Sequence, residues 1–151
     1  MIYDRTAADV SYADTLRKKL QAGQSLTEAE KAVFERGACT TAMLNRVESK
    51  QSELATALNG YSYRVSISNK QWTSADIFGY ADYVRLLDNL SKLRQAFFVY
   101  ETTPATPAYI YGYKEANYIE KILADIESMI DDMKGRFRQC GTFQCGEENN
   151  L

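Results

Sequence analysis

Cys140 and Cys145, in the stretch RQCGTFQCGE, have four residues between them, and each is followed by glycine. Paired thiols can ligate a metal, exchange electrons as a dithiol, or close a disulfide. A structural zinc site needs four ligands, and this chain has three cysteines and no histidine. Zinc would therefore need a carboxylate or a neighbouring subunit. A redox pair normally reads C-x-x-C, which this spacing is not. An odd number of cysteines in a chain without a signal-peptide pattern favours reduced thiols, with a disulfide and a metal site left as alternatives. The lack of histidine also removes the usual general base, the Ser-His-Asp triad and the Cys-His dyad. The eight glycines are scattered, so no phosphate-cradling loop is formed. Glu127 and Asp131 lie one helical turn apart with like charge, a spacing that can raise one pKa or hold a cation, but no third ligand accompanies them. The expectation is a protein that is not an enzyme, with no catalytic residue, no metal and no cofactor.

The rest of the composition fits a folded helical protein rather than a disordered one. A chain of 151 residues with 45% hydrophobic and 25% charged residues suits one domain. Basic and acidic residues nearly balance, 18 against 20, and neither half is a polybasic arm. MIYDRTAADV lacks the charged start and apolar core of a signal peptide, and no run is long enough to span a membrane. Neither nucleic acid nor membrane is expected as a partner. A helix-turn-helix over the first two helices is the strongest DNA-binding alternative, but KAVFERG mixes charges and carries no base-reading cluster.

The elements that must position any surface are mostly helices. Residues 1–37 read as a helical subdomain: Thr6 caps a helix carrying Tyr12, Leu16 and Leu20 on one face, Thr27 and Glu30 form a capping box, and Gly37 suits a left-handed terminating turn. A helix within 38–60 carries Leu44, Val47, Leu54 and Leu58 on a heptad-like seam that Gln51 interrupts. In YSYRVSIS, Tyr61, Tyr63, Val65 and Ile67 alternate with polar residues, the pattern of a strand over 61–68 that needs a partner. A helical hairpin follows, 80–100 and 114–139. Its first face carries Tyr83, Leu86, Leu87, Leu90, Leu93 and Phe97, and its second carries a stripe from Ile119 to Phe137. On that last helix Glu120, Lys121 and Asp125 read as a solvated face. Pro104 and Pro107 keep helix out of the connection, and residues 140–151 form a tail. The fold class is therefore mainly α: a helical bundle built on a long hairpin, with a short N-terminal helical subdomain and a small β element.

Tyrosine stands out. Tyr109, Tyr111, Tyr113 and Tyr118 cluster in AYIYGYKEANYIEKIL, and an apolar body with a polar tip suits either packing of the loop onto the helical core or a surface that is wet before assembly and buried after it. With the lone Trp72 as an anchor and the unpaired strand contributing Tyr63 and Val65, the candidate protein interface is Trp72, Tyr109, Tyr111, Tyr113, Tyr63 and Val65.

RTAADV near the start, TTAMLNRVESK, QWTSADI, LRQAFFVYETTPATP, EANYIEKILADI and GTFQCGE follow one another in this order. In these motifs, from about Asp4 to Glu147, the chain resembles a family of small proteins encoded among the tail genes of phages and prophages of Gram-positive gut bacteria. The resemblance implies a tail or baseplate assembly role through protein contacts. The implied partners are further copies of the chain, as a homo-oligomer, and other tail proteins. The implied location is the virion tail, after synthesis in the host cytoplasm. The alternative is a soluble, prophage-encoded module that binds and regulates a host protein.

Overall fold

A computed structural model describes residues 1–109 and 112–139. The chain forms α1 (Ala7–Gln21), α2 (Glu28–Gly37), α3 (Thr41–Gly60), α4 (Tyr80–Ala96) and α5 (Tyr113–Gln139). The starts of the helices follow from their caps. Thr6 and Thr27 each accept the backbone N–H three residues on, while Asp9 and Glu30 accept in return, closing two capping boxes. Thr40 accepts from the Met43 N–H at the start of α3. α4 ends earlier than its periodicity predicts, because Phe97 turns extended at φ −137° and ψ 162°. Cys140, Cys145 and the tail lie outside the described residues.

α1 and α2 form a hairpin, and α3, α4 and α5 pack together as a three-helix bundle. Ala13 and Leu16 are the buried residues of α1, whereas Tyr12 and Leu20, expected on the same face, are exposed. The bundle core is built from Leu44, Val47, Leu54 and Leu58 of α3, Leu86, Leu90 and Leu93 of α4, and Ile119, Ile122, Leu123, Ile126 and Ile130 of α5. Gln51 does not interrupt this core. It is buried within it, donating to the Leu86 carbonyl at 3.0 Å and accepting from Asn89 at 3.3 Å.

Gly37 works by close approach rather than by a left-handed turn. It is the last residue of α2, and the chain leaves the helix through Ala38 in an extended conformation. A Cβ at Gly37 would run into the Asp9 carbonyl and the Ala13 side chain. Gly37→Ala should therefore push α1 and α2 apart and cost about 1–3 kcal/mol, read from urea unfolding. A wild-type midpoint for that variant would show that the hairpin adjusts freely.

The expected strand over 61–68 is not formed, and no strand occurs among the described residues. The alternation was nonetheless informative: Val65 is buried and Tyr63 and Ile67 are half-buried, while Arg64, Ser66 and Ser68 are exposed. The segment is an irregular strap whose backbone is bonded largely by side chains instead of a neighbouring strand. Asn59 donates to the Val65 carbonyl at 2.9 Å and accepts its N–H at 2.8 Å. Asn89 holds both backbone groups of Ser68, at 3.1 and 2.7 Å, and Asn45 holds both of Trp72, at 2.7 and 2.9 Å. Each carboxamide supplies one donor and one acceptor, as a neighbouring peptide unit would.

Candidate functional site

The charged residues of the bundle serve the fold. Glu120 and Asp125, expected to face solvent, are 0% and 5% exposed. Glu120 accepts from the Arg5 guanidinium, from Arg46 Nη2 at 2.9 Å and from the Ile2 N–H at 2.5 Å. Asp125 accepts from Thr103 Oγ1 at 2.8 Å and from Lys121, so the expected Lys121 pair exists, but at the edge of the core. Glu127 pairs at 3.0 Å with Lys50, which it shares with Glu53 at 2.7 Å, and Asp131 pairs with Lys134 at 3.0 Å, so the two carboxylates turn to different cations. Among the described residues, no group of three or more potential ligands could hold a metal ion, and no helix is long and apolar enough to cross a membrane.

Two of the expected interface residues lie inside the chain. Trp72 is 3% exposed: its indole N–H donates to Glu48 Oε1 at 3.2 Å, its ring packs on Phe78 with centroids 5.5 Å apart, and Lys70 Nζ stands 4.1 Å from the ring centroid. It anchors the strap to α3 and not a partner to the surface. Val65 is likewise core, and Tyr63 is half-buried with its ring edge-to-face on Phe97 at 5.3 Å. Tyr113 is half-buried and lines a cleft between the hairpin and the bundle. Tyr111 lies outside the described residues. Tyr109 is at the surface, 51% exposed.

At the start of α4, which the Tyr83 hydroxyl ties to the Ala108 carbonyl beside Tyr109, the structure exposes apolar residues that the sequence did not single out. Tyr80 and Val84, four residues apart, share one face of α4, and Ile77 precedes that helix where the strap runs into it; Ile77 and Tyr80 are 87% and 81% exposed. Gly79 sets the turn between them, its N–H donating to Asp82 Oδ2 at 3.3 Å. Phe78, on the other side of Ile77, packs against the core. Tyr83 joins the patch to the tyrosine loop, because its hydroxyl donates to the Ala108 carbonyl while its ring lies 6.1 Å from that of Tyr80. Beyond it, Pro104 to Tyr109 and Tyr118 line an open groove.

Charges border this patch. Lys70 pairs with Asp76 at 3.1 Å and Asp82 at 3.7 Å. Hydrogen bonds from the Thr73 hydroxyl and N–H, with Lys70 adding to them, lower the Asp76 pKa to about 2, so it stays ionised through the neutral range. An apolar aromatic centre with a permanently charged border is the anatomy of a contact surface. The signal available in the sequence was IFGY: two apolar residues before a glycine cannot both face one core. No protein-family model, curated protein or solved structure matches the chain.

Proposed function

We propose that this protein is a non-enzymatic assembly component that docks through the surface of Ile77, Tyr80, Val84 and Tyr109. The observation that carries this reading is the exposure of Ile77, Tyr80 and Val84 within one short stretch, with Tyr80 joined through Tyr83 to the loop that carries Tyr109. Large apolar residues scattered singly over a surface are ordinary, whereas contiguous ones beside a polar border mark contact sites. Burying a side chain the size of isoleucine contributes about 1.5–3 kcal/mol, and aromatic residues at the centre of an interface dominate its binding energy. The contact mode rests on this surface. The setting, a phage or prophage tail or baseplate in which the protein meets copies of itself and other tail proteins, rests on the sequence resemblance.

The test is the paired substitution Ile77→Ser with Tyr80→Ser. Both side chains are exposed, so helical content should be retained, while association should weaken about thirtyfold or more. Light scattering of the purified chain reads self-association, and sedimentation with purified tail particles reads docking onto other tail proteins. Unchanged mass and unchanged particle incorporation, with helices intact by circular dichroism, would remove this surface from consideration. Recovery of the wild-type chain from lysates but never from particles would instead support the host-directed module.

A further inference from the structure

The cleft lined by Tyr113 is chemically distinct from the contact surface. It has a volume of ≈ 280 Å³, with Val10 of α1, Met43 of α3, Phe78 and Ala116 of α5 among its apolar walls, and with Arg5 and Cys39 as polar groups. Arg5 is 5% exposed, and its bonds can be counted. Nε donates to the Arg36 carbonyl at 2.9 Å, Nη1 to the Ile2 carbonyl and to Asn117 Oδ1 at 3.2 Å, and Nη2 to Glu120. A guanidinium carries five N–H groups. One N–H of Nη2 is therefore left without an acceptor among the described residues, on a buried side chain that lines an apolar cleft.

Arg5 and Arg46 share the Glu120 carboxylate and the nearby Arg36 pairs with Asp4 and Asp9, so this cluster is neutral as a whole. What the cleft wall offers is the one guanidinium N–H of Arg5 without an acceptor, and a carboxylate makes the stronger, charge-assisted bond to such a donor.

We propose that this cleft binds a small amphipathic carboxylate, with its anionic end at Arg5 and its hydrocarbon body against Val10, Met43, Phe78 and Ala116. At about 30 Å³ per water the cleft has room for roughly nine water-sized groups, which matches a medium-chain carboxylate such as octanoate. So few atoms in an open cleft give a dissociation constant on the order of millimolar.

Cys39 is exposed and lines the cleft, so it can report occupancy. The experiment uses full-length protein carrying Cys140→Ser and Cys145→Ser, so that Cys39 is the one thiol, and measures its alkylation by iodoacetamide against octanoate concentration. Octanoate should slow alkylation saturably, and octanol, of the same length but uncharged, should need at least about tenfold more for the same protection. Ala116→Leu, which fills the cleft and leaves the Arg5 bonds in place, should abolish protection while helical content is kept. Absence of saturable protection overturns the proposal, and so does equal protection by octanol or protection that survives in folded Ala116→Leu protein. Should that variant fail to fold, the octanoate and octanol comparison on the unfilled cleft decides the matter alone.

Discussion

Glu120→Ala should destabilise the protein by about 3–5 kcal/mol, the usual cost of removing one partner from a buried ion pair. The carboxylate is 0% exposed and is the shared acceptor for Arg5, Arg46 and the Ile2 N–H. Without it, the Arg5 side chain, 2% exposed, is left charged in the interior with no counter-charge. The same residue joins the parts of the fold, since Arg5 also reaches the last turn of α2 through the Arg36 carbonyl and α5 through Asn117. The loss should therefore appear as a lower urea midpoint and as weaker docking of the N-terminal hairpin. Replacing Glu120 and Arg5 together, Glu120→Leu with Arg5→Met, should recover part of the loss, because no unpaired Arg5 charge is left in the interior, while Arg46 and the Ile2 N–H still lose their acceptor. A Glu120→Ala protein within 1 kcal/mol of wild type would show that the pair adds little.

The sign of the acid dependence follows from the same geometry. Burial opposes ionisation of Glu120, but hydrogen bonds from Arg46, Arg5 and the Ile2 N–H, with the Arg5 charge, outweigh it and hold the carboxyl below its ordinary value of 4.5. A group whose folded pKa is depressed contributes stability that is fully present above its unfolded pKa. That contribution is lost as pH falls through the lower folded pKa. The wild-type urea midpoint should thus fall as pH drops below about 4.5, and Glu120→Gln should flatten that part of the curve. Other carboxyls held low, Asp9 by the Thr6 N–H and hydroxyl, Glu30 by Lys19 and the Thr27 N–H, and Asp76 by Thr73, contribute to the slope that remains.

Local rules recovered the helices because caps and apolar spacing are local. Thr6 with Asp9 and Thr27 with Glu30 can be read within four residues. What stayed hidden depends on residues far apart in the chain. Glu120 and Asp125 look like a solvated face on α5, yet the N-terminal arm covers one and Thr103 of the interhelical loop covers the other. A helix enclosed by two helices, an arm and a loop has little solvent face, whatever its charge pattern suggests. Alternation over 61–68 gave Tyr63, Val65 and Ile67 correctly as inward residues, but not Tyr61, which is exposed, and it gave the wrong partner, because period two reports burial of one face and not what satisfies the backbone. The proposed contact surface was half legible for a similar reason. Tyr109 belongs to a visible tyrosine cluster, whereas Ile77 and Tyr80 straddle a boundary between elements where no periodicity applies. Trp72, a natural anchor by composition, is turned inward by bonds to Asn45 and Glu48, residues more than twenty positions earlier.

Glu48→Ala should cost about 3–5 kcal/mol as well, with a different signature. Glu48 is 2% exposed and accepts from Arg85 Nη1 and Nη2 at 2.8 and 2.6 Å, from Trp72 Nε1 at 3.2 Å and from the Lys70 N–H at 3.3 Å. It is the charged pin of the strap, where Asn45, Asn59 and Asn89 are the neutral ones. Its removal leaves the indole N–H buried without an acceptor and Arg85 without its main counter-charge, so the strap should loosen before the bundle melts. The one tryptophan of the chain reports this directly: emission should shift to the red and acrylamide quenching should rise at urea concentrations where helical content is intact. Asn89→Ala, which releases the Ser68 backbone and a 3.3 Å bond to Gln51, should cost less, about 1–3 kcal/mol. Native emission and an unchanged urea midpoint in the Glu48 variant would mean that packing of Trp72 on Phe78 holds the strap without the carboxylate. Amide exchange in the wild-type protein separates side-chain pinning from strand pairing. Pinning protects the N–H groups of Val65, Ser68, Lys70 and Trp72, while Arg64 and Ser66, which exchange no such bonds, should exchange fast. A second strand added to the free edge would protect Arg64 and Ser66 too, so the alternation of fast and slow amides distinguishes a strap complete in itself from one completed by a partner.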